Sequence, residues 1–209
     1  MQVYPFQKEK LPCQMTAMQP CFDEKNIALH YDQVYGEAVK RLNRLLNQYP
    51  QLQGWSLERL ISNKLPGVPA WKEAELQNAA GAVYNHNLYF HCLCGTPVQE
   101  PHGNLKQVLS DRYGSVKEFK KIFLEASQSL FNCGWVWLNS ERNGNVHIAV
   151  TNCNKTPSLT SLTPVLCLDM WEHAYYIQYI TDSPSYVRNW LDTVDWDAAN
   201  RRFTASLSN

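Results

Sequence analysis

The sequence predicts an α+β protein: an N-terminal antiparallel helical hairpin, then a C-terminal α/β domain with a small three-stranded antiparallel sheet. Three observations predict it. Apolar residues recur at helical spacing along two long runs before residue 95. After residue 131 the pattern changes to short aromatic and β-branched runs. Two of those runs are joined by Arg142-Asn143-Gly144-Asn145, whose Asn-Gly pair is a tight-hairpin signal.

The first long helix is expected to start near Asp23, a good N-cap after Pro20. Ile27, Tyr31, Val34, Tyr35, Ala38, Leu42, Leu45 and Leu46 mark its apolar face as far as Tyr49-Pro50. A short helix over 57–63 and a Pro66-Gly67 turn follow. The second long helix spans about 71–92, and its Ala79, Ala80, Gly81 and Ala82 imply close approach of another helix. The stretch GTPVQEPHG, 95–103, reads as a linker between domains 1–95 and 104–209. Helices are expected over 104–113 and from Ser115, whose Ser115-Val116-Lys117-Glu118 is a capping box, to Phe131. Strands follow at 135–138, 146–150 and 165–169. Residues 171–179 are compatible with a helix, and Pro184 opens another in its first turn.

Composition narrows the function. The 209 residues carry 19 basic and 19 acidic side chains, a balance that argues against a nucleic-acid or membrane-surface partner. The opening MQVYPFQKEKLP has no basic start followed by an apolar run, so no secretory leader and a cytoplasmic location are expected. Residues 76–99 lack Asp, Glu, Lys and Arg, but Gln77, Asn78, Asn85, His86 and His91 make them too polar to cross a bilayer. Seven cysteines, with one C-x-C and no second C-x-x-C, suit reduced and mostly buried thiols better than a disulfide framework or zinc ribbon.

Six histidines can be weighed singly. His30 and His86 each fall mid-helix among apolar residues, where a lone histidine is ordinarily a hydrogen-bonded core residue. His91 lies about 140° round the helix from His86 and cannot share its site. His102 and His147 fall in the linker and a strand. Asp169 and His173 differ: a carboxylate follows directly on an apolar strand, and an imidazole comes four residues later, after the chain turns. A buried carboxylate needs a charged partner or a metal. With neutral imidazoles nearby it suits iron, manganese or zinc.

Asp169 to Tyr176 reads DMWEHAYY, which resembles the D-x-W-E-H-A-Y-Y signature of the iron/manganese superoxide dismutase family. Asn85-His86 before aromatic residues, Leu42-Asn43 downstream of His30, and Gly134-Trp135-Val136-Trp137-Leu138 also resemble that family's segments, and Trp190 to Trp196 is similar to its closing segment. The likeness runs from about residue 20 to 203. It implies one iron or manganese ion per subunit, with iron favoured by Val83-Tyr84-Asn85-His86. The implied ligands are His30, His86, Asp169 and His173. It implies superoxide as substrate and a homodimer or dimer of dimers. Glu172 would cross to the partner's ligand histidine, and Trp171 and Tyr176, with Trp135 and Trp137, would enclose the site.

Other family positions are altered. The resemblance puts Ala38 at the gateway tyrosine, Val34 at its companion histidine and Ala82 at the iron-type glutamine. It puts Cys153 at the manganese-type glutamine and Ser183 at a cationic entrance residue. Two readings follow: a divergent, active dismutase, or a metal-binding homologue with little dismutase activity and another redox or structural role. An interaction protein without metal ranks last, because it leaves four ligand-type residues in register unexplained.

Overall fold

The computed structural model describes residues 2–95 and 100–208. Residues 96–99 of the expected linker lie outside the described residues. The first long helix is one rod in three pieces: α1 (Glu24–Ala28), a π-helical stretch (Leu29–Tyr35) and α2 (Gly36–Leu46). Asp23 stands at the N-cap, but its side chain caps nothing. The π stretch leaves the apolar pattern legible while shifting the hydrogen-bond ladder, and such insertions recur at functional sites. It carries both His30 and Tyr35.

After α3 (Leu57–Ser62), the 22-residue α4 (Ala70–His91) runs back along α2 and completes the hairpin. Helices α2 and α3 both pack against α4, and its small-residue stretch also admits a neighbour the sequence did not imply. A Cβ on Gly81 would lie 2.2 Å from the backbone oxygen of Asn154, so the loop after the second strand presses on α4 there.

Helices α5 (Gly103–Tyr113) and α6 (Val116–Gln128) open the second half. Ser115 accepts from the Glu118 N–H as the capping box requires. The expected run to Phe131 stops at Gln128, and Phe131 stands exposed. The sheet follows: β1 (Gly134–Glu141), β2 (Val146–Asn152) and β3 (Leu162–Asp169), in the order β2-β1-β3 and antiparallel throughout. Central β1 is buried from Gly134 to Ser140. Gly144 closes the β1–β2 turn at φ +85°, a value that glycine adopts without a Cβ penalty.

Three helices end the chain: α7 (Glu172–Tyr179), α8 (Ser183–Asp192) and α9 (Trp196–Ser206). The last is capped by Asp195, which accepts from the Ala198 N–H at 2.7 Å. The halves are clipped together beside α4. Cys94 donates to the Thr193 carbonyl, Asp195 donates to that of Cys92 (both 2.8 Å), and Arg202 reaches the carbonyls of Val165 and His91. No helix among the described residues is long and apolar enough to cross a membrane. The cysteines are free thiols, but only Cys92 and Cys167 are buried, fewer than the composition led us to expect.

Candidate metal centre

Four side chains from four elements converge between the hairpin and the sheet. The π stretch supplies His30, α4 supplies His86, the end of β3 supplies Asp169, and the first turn of α7 supplies His173. One ligand-type atom from each lies within 4.8 Å of all the others. Asp169 Oδ2 is 3.2 Å from His30 Nε2, 3.7 Å from His86 Nε2 and 3.1 Å from His173 Nε2. Donors sharing one ion at bonds of about 2.1 Å stand roughly 3–4 Å apart, so the spacing fits a single transition-metal ion.

The hydrogen bonds around the cluster orient it. His86 Nδ1 lies 2.7 Å from the Ala82 carbonyl, which makes it the protonated nitrogen and leaves Nε2 bare toward the centre. Asp169 Oδ1 accepts from the Trp171 N–H at 2.8 Å, so Oδ2 is left for the cluster. Tyr186 donates to the Asp169 carbonyl at 2.7 Å and holds the strand end. His30 Nε2 and His86 Nε2 are buried and have no hydrogen-bond partner among the described residues. Both are near the carboxylate but off hydrogen-bond geometry. Orphaned buried nitrogens facing one anion are costly unless something else fills the point they face.

Electrostatics favour the ligand-competent protonation state. Burial pushes His30 down, against the pull of Asp169. Burial and the neighbouring His30 ring push His86 down to about 3. Burial by itself would raise Asp169, but the adjoining imidazoles of His173 and His30 outweigh it and hold the carboxyl well below the usual range. An anionic carboxylate beside neutral imidazoles is a donor set for a divalent or trivalent ion of intermediate softness.

Aromatic rings wall the cluster. Tyr35 stacks on His86 (5.6 Å, 6°), Trp135 meets the same ring edge-on (5.1 Å), and Trp171 stacks on His173 (5.8 Å). A cavity of about 380 Å³ opens onto His86 and His173 past Val34, Ala38, Ala82 and Asn154, with Glu37, Arg41 and Arg44 toward its mouth.

The sequence matches known proteins along nearly its whole length. Residues 5–94 match the family model described as iron/manganese superoxide dismutases, alpha-hairpin domain, and residues 101–202 match the corresponding C-terminal domain. The chain belongs to the iron/manganese superoxide dismutase family. It is 34% identical over 201 residues to a superoxide dismutase [Mn] of Listeria monocytogenes, covering 96% of this chain and 98% of that one. A superoxide dismutase [Mn] of Thermus aquaticus is 31% identical over 196 residues, 94% and 96% of the two chains.

Against that family, several expected positions can now be placed. Val34, Ala38 and Ala82 do line the cavity. Cys153 does not: it is exposed, and the next residue, Asn154, reaches the cavity and lies 3.4 Å from Trp135 Nε1. Sequence reasoning missed Asn154 by one position. Its available signal was the small-residue stretch of α4, which makes room for the Asn154 backbone. Ser183 does not line the cavity of its own chain, and its hydroxyl donates to the Gln128 side-chain oxygen at 3.3 Å. The cations at the mouth are Arg41 and Arg44. Tyr176 and Glu172, expected to act at the site, are exposed and do not line the cavity of their own chain. Trp137 turns its Nε1 to Thr151 instead.

Proposed function

We propose that the chain is a superoxide dismutase, with one iron or manganese ion held by His30 Nε2, His86 Nε2, Asp169 Oδ2 and His173 Nε2. The observation that carries the reading is the set of buried, orphaned imidazole nitrogens around one carboxylate, in a chain of this family. The bound ion supplies a one-electron couple, through which two superoxide anions and two protons become dioxygen and hydrogen peroxide. Everything else falls to the protein. Arg41 and Arg44 supply positive charge to the cavity lining, partly offset by Glu75 at 3.4 Å from Arg41 and Glu37 at 3.9 Å from Arg44. Trp171, Trp135 and Tyr35 exclude bulk water from the rings they touch. The Asn154 amide, like that of Asn78, is a neutral polar group placed to orient water or substrate in the cavity.

In the same reading, residues 1–95 and 104–209 are two domains, each giving half the ligands. A homodimer or dimer of dimers covers α7 and its C-cap, where Tyr176, Ile177 and Ile180 stand half exposed. Glu172 and Tyr176 would then act across that interface.

A second reading, a metal-binding homologue with little turnover, is favoured by Val34 and Ala38. Neither offers a proton donor to the cavity. Elemental analysis with a superoxide-consumption assay on protein reconstituted separately with iron and with manganese separates the two. Stoichiometric metal with rapid turnover supports the dismutase, and the better metal is read directly. Stoichiometric metal without turnover selects the second reading, and no metal removes both.

A further inference from the structure

Cys133 and Cys153 close the open end of the β1–β2 hairpin. They lie one place beyond the Gly134–Asn152 pair, and the Cys153 N–H donates to the Cys133 carbonyl at 3.1 Å. Directly opposite residues of antiparallel strands have Cα atoms about 4.5–5.5 Å apart, inside the roughly 4.4–6.8 Å span that a disulfide bridges. Cys153 is exposed and Cys133 partly so, whereas Cys92 and Cys167 are sealed in the core. Cys153 also holds a left-handed φ of +54°, uncommon for a residue other than glycine, asparagine or aspartate. Both cysteines are close in sequence to residues around the metal centre. Gly134 and Trp135 follow Cys133, and Asn154, which follows Cys153, is the partner of Trp135 Nε1.

We propose that Cys133 and Cys153 are a peroxide-sensitive thiol pair that closes to an intrachain disulfide at the open end of the β1–β2 hairpin, next in sequence to residues around the metal centre. Exposed Cys153 meets the oxidant first. Its sulfur attacks hydrogen peroxide, the O–O bond breaks, one oxygen stays as a sulfenic acid and the other leaves as water. The Cys133 sulfur then attacks that of Cys153. The S–O bond breaks, the S–S bond forms, and a second water carries off the Cys133 proton. The sum is two thiols and one peroxide to one disulfide and two waters. Only the cellular source of peroxide rests on the dismutase reading, since added peroxide serves equally.

The test uses the full-length, metal-loaded protein titrated with hydrogen peroxide, quenched with an alkylating agent, denatured and mapped by mass spectrometry. The free-thiol count falls by two from seven, one peptide pair links Cys133 to Cys153, and dithiothreitol restores both thiols. In Cys133→Ser and Cys153→Ser that link is absent and the two-thiol loss disappears. A link between two chains on a non-reducing gel, a link through any other cysteine, or sulfinic acid at Cys153 without linkage overturns the proposal. Linkage in a protein without dismutase turnover sinks the proposed function and keeps the switch. Turnover without linkage does the reverse.

Discussion

Asp169 is the residue on which the centre turns. Fully buried, it lies within 3.7 Å of three imidazoles and is fixed by the Trp171 N–H. In Asp169→Ala the histidines lose their anion, so metal content should drop at least about tenfold. The melting temperature should fall by several degrees relative to the loaded wild type, because ligand binding to the folded state is stability. Plasma emission analysis with calorimetry on both proteins, and on chelated wild type as reference, checks it; unchanged metal content removes Asp169 as a ligand. Ala38 tests the chemistry instead. It faces a cavity of about 380 Å³ with room for a larger side chain. If proton delivery limits turnover, Ala38→Tyr should raise it at least about tenfold, a positioned proton donor being worth that or more. No gain in a folded, fully metallated variant removes that explanation. Asp169 and His173 stood out in the sequence because a carboxylate directly after an apolar strand calls for a partner, whereas His30 and His86 read as ordinary core histidines and joined them only through the family resemblance. Asn154 was not, because it sits in an irregular loop where no periodicity fixes the register and a one-residue slip exchanges an exposed thiol for a cavity-lining amide.

Among the elements, α4 and the loop after β2 show what pattern reading captures. Helical spacing located α4 to within a residue at each end, and the small stretch at residues 79–82 correctly signalled a close approach. It could not say what approaches: small residues admit a strand loop as readily as a helix. The π stretch of the first helix was equally illegible, since a shifted hydrogen-bond ladder leaves the apolar face in place. Gly81 allows a quantitative test. Alanine there gains about 1 kcal/mol of helix propensity. Its Cβ, however, would meet the Asn154 backbone oxygen at 2.2 Å, and a backbone atom cannot swing aside as a side chain can. Overpacking of this kind costs about 1–3 kcal/mol. Gly81→Ala should therefore be destabilising by about 1 kcal/mol net in urea unfolding, and it should displace Asn154 from the cavity. Gly54, with open space around its Cβ position, is the control site. A stabilised Gly81→Ala would mean that the loop yields freely and does not hold the wall.

For the whole molecule, the site sits where two halves of the chain meet, and that raises the question of what covers its outer side. The bond from Cys94 to Thr193 and the reach of Arg202 to Val165 and His91 already hold the halves on the far side of α4. On the near side α7 carries His173 inward while Tyr176, Ile177 and Ile180 face solvent at 52%, 50% and 58% exposure. One such residue is ordinary on a protein surface, but three within five positions, beside a ligand histidine, form a patch. The sequence could not separate this face from a buried one, because apolar residues covered by their own chain and those covered by a second copy are spelled alike. A two-fold dimer would bury the same patch on both subunits, so a change in one chain counts twice at the interface. Ile177→Glu combined with Ile180→Glu should then convert the dimer to monomers at micromolar concentration, read by sedimentation velocity. Metal should be largely retained, since all four ligands come from one chain. A variant that sediments as the wild type does would place the subunit contact elsewhere and leave Tyr176 and Glu172 without a route to any metal site.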